Sequence, residues 1–229
     1  MTDYKRYALY HAPETGAFAD TLSRWLGWDS AAAAPRDHPD VPGLPRPVAE
    51  ITARPRKYGV HATLKPPFRL AEGSTPEALA AEVEALAAER APVRLPGLRL
   101  ARIGPFLALV PDGETAALDA LAGACVRDLD RHRALLTDEE LARRRAGRLS
   151  DRQEALLAEF GYPYVMEEFR FHITLTGPLP PEELAATEAA LGAWFAPLLP
   201  APYRIASLCL FGEAPDGMFH LVHRYALTG

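Results

Sequence analysis

The sequence predicts an α+β fold of two pseudo-symmetric lobes, each an antiparallel sheet backed by helices, around a central cleft carrying two His-x-Thr motifs. Three observations carry that expectation. His61-Ala62-Thr63-Leu64 recurs as His172-Ile173-Thr174-Leu175. Each copy leads through a proline-containing turn into a helix-like segment, and the two segments, 76–86 and 181–191, agree at seven of eleven positions. Each helix is followed by strand-like sequence: 93–101 and 103–110 in the first half, 203–211 and 218–227 in the second. Agreement in order and spacing marks an internal duplication more strongly than the alanine-rich helices could alone.

Taken in chain order, residues 1–12 add an opening strand in which Arg6, Ala8 and Tyr10 share one face and Tyr7 and Leu9 the other. Between Asp29 and Arg56, prolines at 35, 39, 42, 45, 47 and 55 forbid a long regular element and predict a surface loop or lid. The helix after the first motif starts at Ser74 or Thr75: the former has capping-box spacing to Glu77, and the latter puts Pro76 in the first turn. Capping-box pairs Thr137/Glu140 and Ser150/Gln153, with Gly147 and Gly161 as stops, predict a helical hairpin over 137–160, inserted ahead of the second motif. The chain reads as a single bilobal domain, 1–229, with lobes of about 1–112 and 113–229, the last strand from Met218 crossing into the other lobe.

Composition limits the function. The formal net charge of −5 lacks the basic field that grips long nucleic acid, so the expected partner is a small phosphorylated substrate or an oligonucleotide end. The amino-terminal stretch has no apolar signal core and no later run is long and uncharged enough to span a bilayer, which predicts no membrane association and a cytoplasmic monomer. Cys125 and Cys209 sit in apolar surroundings and read as buried reduced thiols. No His-x-x-x-His, His-x-His or cysteine pair offers a ligand set, so neither metal nor cofactor is expected.

The chemistry follows from strand alternation. On the first motif strand Val60, Ala62 and Leu64 face one way while His61, Thr63 and Lys65 face the other; on the second, Phe171, Ile173 and Leu175 alternate with Arg170, His172, Thr174 and Thr176. If the polar faces meet across a cleft they form a phosphate site. One neutral imidazole removes a proton from water, and one charged imidazole protonates the leaving oxygen. Thr63 and Thr174 donate to non-bridging oxygens, and Lys65 or Arg170 offsets the growing charge. Candidate catalytic residues are therefore His61, Thr63, His172 and Thr174. Candidate substrate contacts are Lys65, Arg170 and Thr176 on the motif strands, Tyr10 and Arg6 on the opening strand, and Arg143 and Arg144 in the hairpin. Sequence leaves open which histidine is acid and which is base.

These residues resemble the two-histidine phosphoesterase superfamily, defined by two His-x-Thr-x copies in a two-lobed α+β fold. The stretches 58–68, 152–156, 161–165 and 168–178 further resemble a bacterial branch encoded beside phosphonate-degradation genes. The resemblance implies metal-independent hydrolysis of a cyclic phosphodiester, either a nucleoside 2′,3′-cyclic phosphate or a small cyclic ribose phosphate, at His61, Thr63, His172 and Thr174. The alternative is a non-catalytic module that binds a phosphate ligand or an RNA end in the same cleft.

Overall fold

The computed structural model describes residues 3–229; Met1 and Thr2, the start of the expected opening strand, lie outside the described residues. The chain runs through β1 (Tyr7–His11), α1 (Ala17–Leu26), the ribbon β2 (Trp28–Asp29) and β3 (Ala34–Pro35), and the one-turn helices α2 (Val48–Ile51) and α3 (Ala53–Arg56). The first motif follows on β4 (Ala62–Phe68), then α4 (Pro76–Ala88), β5 (Val93–Leu95), β6 (Gly97–Ile103), β7 (Phe106–Asp112) and α5 (Ala116–Asp128). The hairpin is α6 (Asp138–Arg145) and α7 (Asp151–Phe160). The second motif lies at β8 (Ile173–Thr174), followed by α8 (Pro181–Phe195), β9 (Tyr203–Ile205), β10 (Ser207–Glu213) and β11 (Phe219–Ala226).

Two antiparallel sheets carry the motifs, one in the order β11-β10-β1-β4 and one in the order β6-β7-β8, and β5 pairs with β9 between the two halves. The helix after the first motif, α4, packs on β10 and β11, and its repeat α8 packs on β6 and β7. Each motif thus shares its sheet with strands from the other half of the sequence. The expected lobe boundary between 112 and 113 is corrected accordingly: the halves exchange their final hairpins, so the crossing expected of the last strand includes β10 as well.

Alternation explains why the first sheet is covered on both sides. Tyr7 and Leu9 of β1 and Leu208 and Leu210 of β10 enter the main core with Trp25, Leu64, Ile173 and Phe195. Their neighbours Ala8, Tyr10, Cys209 and Phe211 form a second cluster with Phe219 on the opposite face. Cys125 and Cys209 are both buried and unpaired. Among the described residues no helix is long and apolar enough to cross a membrane.

The hairpin begins and ends as its caps dictate. Thr137 and Ser150 each close a capping box, satisfying amide groups that the first helical turn leaves without partners. Gly161 ends α7 in the left-handed region at φ 70°, and a Cβ there would come within 2.8 Å of the Arg133 guanidinium. At α4 the cap is Thr75, which accepts from Ala78 N, with Pro76 opening the helix. The proline-rich segment holds only the ribbon and two one-turn helices.

Candidate active site

His61 stands just before β4, and its ring is set by the turn that precedes it. Gly59 has φ +66°, and a Cβ at that position would lie 2.9 Å from the Ser30 side chain, so both the backbone and the space call for glycine. The turn directs the Gly59 carbonyl at the imidazole, and Nδ1–H donates to it at 3.0 Å. The second motif repeats the bond: Nδ1–H of His172 donates to the carbonyl of Arg170 at 2.8 Å. A carbonyl can only accept, so this bond keeps the proton on Nδ1 in the neutral ring and leaves the lone pair on Nε2. Neither Nε2 has a hydrogen-bond partner among the described residues.

A cavity of about 850 Å³ opens beside the two motifs, with His61, Thr63, Thr174 and Thr176 on its wall. His172 is not itself on that wall; its ring packs at 5.9 Å against Phe106, which is. The two imidazoles nevertheless feel each other. Desolvation pushes His61 down to about 4 against the upward pull of its Gly59 bond, and positive charge on His172 lowers it further. The desolvating surface is aromatic: Tyr10 lies 4.2 Å and Tyr58 5.5 Å from the His61 ring, and both rings also pack on Phe219. The hydroxyls of Thr63 and Thr174 have no protein partner among the described residues and are free to donate into the cavity.

Four other expected contacts reach the cavity. Tyr10 does so through the face it shares with Ala8, opposite Tyr7 and Leu9, and Arg6 does so while bound to Glu213 at 2.5 Å. Arg143 and Arg144 of α6 line it too, so the hairpin contributes to the site.

Two expectations need correction. Lys65 was expected as a free cation facing the ligand. Register shifts between β1 and β4 pair Tyr10 with Thr63 but Leu9 with Lys65, breaking strict alternation. The Lys65 side chain is 2% exposed, and its ammonium donates to Asp130 Oδ1 at 3.0 Å and to the Val126 carbonyl at 3.1 Å, a structural ion pair in the wall. Arg170 was expected beside His172 on a long strand. The ladder there is only two residues, Ile173 and Thr174, and begins after His172; Arg170 is exposed, off the cavity wall, and serves the site through its carbonyl. Thr176, also expected, lines the cavity; its Oγ1 accepts from Leu107 N at 3.0 Å, which leaves its O–H free to donate.

Sequence reasoning missed Tyr58, Arg54 and Tyr162, all on the cavity wall. Tyr58 could have been noticed as an aromatic residue next to the glycine that turns the chain into the motif. Arg54 sits on a one-turn helix in the proline-rich segment, where periodicity carries no signal, and that segment is tied to the end of the second motif by Gly177 N, which donates to the Ile51 carbonyl at 2.8 Å.

Two solved structures resemble the chain over 99% of its length and all of theirs, each with a TM-score of 0.45. One is described as a phosphoesterase, at 16% identity, and the other as E. coli LigT complexed with 3′-AMP, at 14%. Among curated proteins, a ribose 1,5-bisphosphate phosphokinase PhnN from Janthinobacterium sp. (strain Marseille) is 43% identical over 176 residues, 76% of this chain and 39% of that protein. A second protein of that name, from Laribacter hongkongensis (strain HLHK9), is 36% identical over 213 residues, 93% of this chain and 49% of that one. The chain spans less than half the length of either relative. Residues 63–220, which run from the first motif threonine through the second motif to β11, match the family described as Protein of unknown function (DUF1045), and the chain belongs to that family.

Proposed function

We propose that the chain is a two-histidine phosphoesterase that hydrolyses a cyclic phosphodiester without a metal. The observation that carries this reading is the repeated Nδ1–H bond to the carbonyl two residues back, which leaves an unengaged Nε2 at each of two motifs beside a shared cavity. His61 is the base, because its aromatic surroundings keep it neutral down to about pH 4. Its Nε2 takes a proton from water as the water oxygen forms a bond to phosphorus. The bond between phosphorus and one ring oxygen breaks, and His172 gives its proton to that oxygen. A phosphomonoester and a free hydroxyl result, and solvent returns the proton that has moved between the imidazoles. Thr63 and Thr174 donate to the non-bridging oxygens, and Arg54 offsets the charge that grows there.

A small ribosyl phosphate is the substrate class best supported. The resemblance to a phosphonate-associated branch points that way, and the relatives' name concerns ribose 1,5-bisphosphate. A 1,2-cyclic phosphate of ribose opened at its 2-oxygen leaves the same 1-phosphate. The test is phosphorus NMR of products from ribose 1,2-cyclic phosphate and nucleoside 2′,3′-cyclic phosphates in the presence of a chelator. Phosphomonoester formation is expected, with loss in both His61→Ala and His172→Ala. Saturable binding without any product would sink the enzymatic reading in favour of a ligand-binding module.

A further inference from the structure

The cations around the cavity fall into two sets. Arg6 is held by Glu213, Arg69 by Glu140, and Lys65 and Arg133 together by Asp130. Arg54, Arg143 and Arg144 line the same cavity and have no ion pair among the described residues. For the last two this is unexpected on helix geometry. Glu140 lies three and four residues before them on the same face of α6, where it would ordinarily neutralise one or the other. It is drawn away instead: one carboxylate oxygen accepts from Thr137 N in the capping box and from Arg69 at 2.9 Å. Arg145, off that face, is neutralised by Glu154 at 3.0 Å. Two adjacent arginines of the cavity wall are left without a carboxylate, and the Arg144 guanidinium is steadied over the Tyr162 ring, also on that wall, at 4.5 Å from its centroid.

We infer that Arg143 and Arg144 form a second anion subsite, and that the substrate carries a terminal phosphomonoester in addition to its cyclic diester. The inference rests on the phosphodiesterase reading above and deepens it. Two guanidinium forks match a dianion with three acceptor oxygens better than a single carboxylate. A cavity of about 850 Å³ is within the usual range for small-ligand pockets and leaves room for a sugar beyond the reacting phosphate. The Thr and His side chains supply the reacting end with donors, and the paired arginines supply charge to the other.

Kinetics on matched substrates test this. Ribose 1,2-cyclic phosphate and adenosine 2′,3′-cyclic phosphate are each compared with and without a 5-phosphate. Wild-type kcat/KM is expected to favour the 5-phosphorylated member by about 10- to 100-fold, the size of one or two charge-assisted hydrogen bonds. In Arg143→Ala/Arg144→Ala that ratio falls to near one, while in Arg145→Ala, on the same exposed helix, it persists. The sugar pair and the nucleotide pair distinguish a ribosyl from a nucleotidyl source of the second phosphate. Equal turnover of both members by the wild type, or an unchanged ratio in the double variant, overturns the subsite and leaves the phosphodiesterase reading standing. If every diester is inert, that reading fails, and calorimetry with ribose 5-phosphate decides the subsite: binding lost in the double variant upholds it, and binding absent from the wild type or retained in the variant overturns it.

Discussion

The two motif regions share one bond and little else. In both, Nδ1–H of the histidine donates to the carbonyl two residues earlier. Around that bond the surroundings diverge. His61 precedes a seven-residue strand at the edge of a four-stranded sheet and lies against Tyr10 and Tyr58; His172 precedes a two-residue strand at the edge of a three-stranded sheet and packs against Phe106. The fourth residue after each histidine differs as well: Lys65 is locked to Asp130, and Thr176 accepts from the Leu107 amide. Duplication therefore supplies the common tautomer, and in the proposed mechanism the unequal shells divide the labour. Paired groups whose environments push their protonation apart are how one site holds an acid and a base at the same pH.

The largest effect expected is on chemistry. His61→Ala and His172→Ala should each lower kcat by about 10²–10⁴-fold, the usual contribution of one positioned acid or base. Their pH profiles separate the roles. The wild-type rate should fall on the acid side near pH 4, where His61 gains its proton, rather than near 6.5. The alkaline limb, where the acid is spent, should vanish in His172→Ala; its persistence there would reverse the assignment. His61 also makes the fold sensitive to acid. Above about pH 6.5 the ring is neutral in both folded and unfolded chains. As pH falls from there toward 4 the unfolded chain protonates first, so stability is lost across that window. Urea titrations at several pH values should show a flatter dependence for His61→Ala. His11, buried beside the Tyr203 hydroxyl and pushed down to about 3, gives a second and more acidic contribution of the same sign, present in both proteins.

The contrast at the fourth position gives the next effect. Asp130→Ala strands the Lys65 ammonium in the wall, and losing one partner of such a pair is expected to destabilise by about 3 kcal/mol. Lys65→Met/Asp130→Ala removes both charges and should recover most of that loss, although Arg133 keeps one unpaired group. Thr176→Val takes the acceptor from a buried amide and should destabilise by about 1–2 kcal/mol. Denaturant midpoints check all three. If Lys65 were instead a ligand-binding cation, the double variant would be stable and inactive toward every diester.

Much of this was legible in the sequence, and the residues that were not have identifiable causes. The twin motif, the repeated helices, the capping boxes at Thr137 and Ser150 and the stop at Gly161 are all local, and local chemistry decided them. The face assignments at Arg6, Tyr10, His61 and Thr63 followed from a period of two. Lys65 did not, because a register shift between β1 and β4 is a property of the strand pair and leaves no mark on either strand alone. Arg170 failed for a related reason: alternation continues through Phe171, Ile173 and Leu175, all buried, but the hydrogen-bonded ladder does not extend that far. The exchange of hairpins between halves was only glimpsed in the last strand, since nothing in β10 or β11 specifies which sheet it joins.

The smallest effect probes the surroundings that assign the base to the first motif in the proposed mechanism. Tyr58 packs against both His61 and Phe219, and Tyr58→Ala admits water to the ring without touching the Gly59 bond. Less desolvation raises the pKa toward 6.5, so the acid limb of the rate should move upward while the rate at pH 8 changes little. A limb moved to about 6 leaves roughly one ring in ten neutral at pH 5, hence about a tenfold loss there that disappears as the pH is raised. Phe106→Ala, the matching change beside His172, should leave the acid limb where it is, because that limb belongs to His61. Equal shifts in both variants would mean that the two shells are interchangeable and that the division of roles has another source.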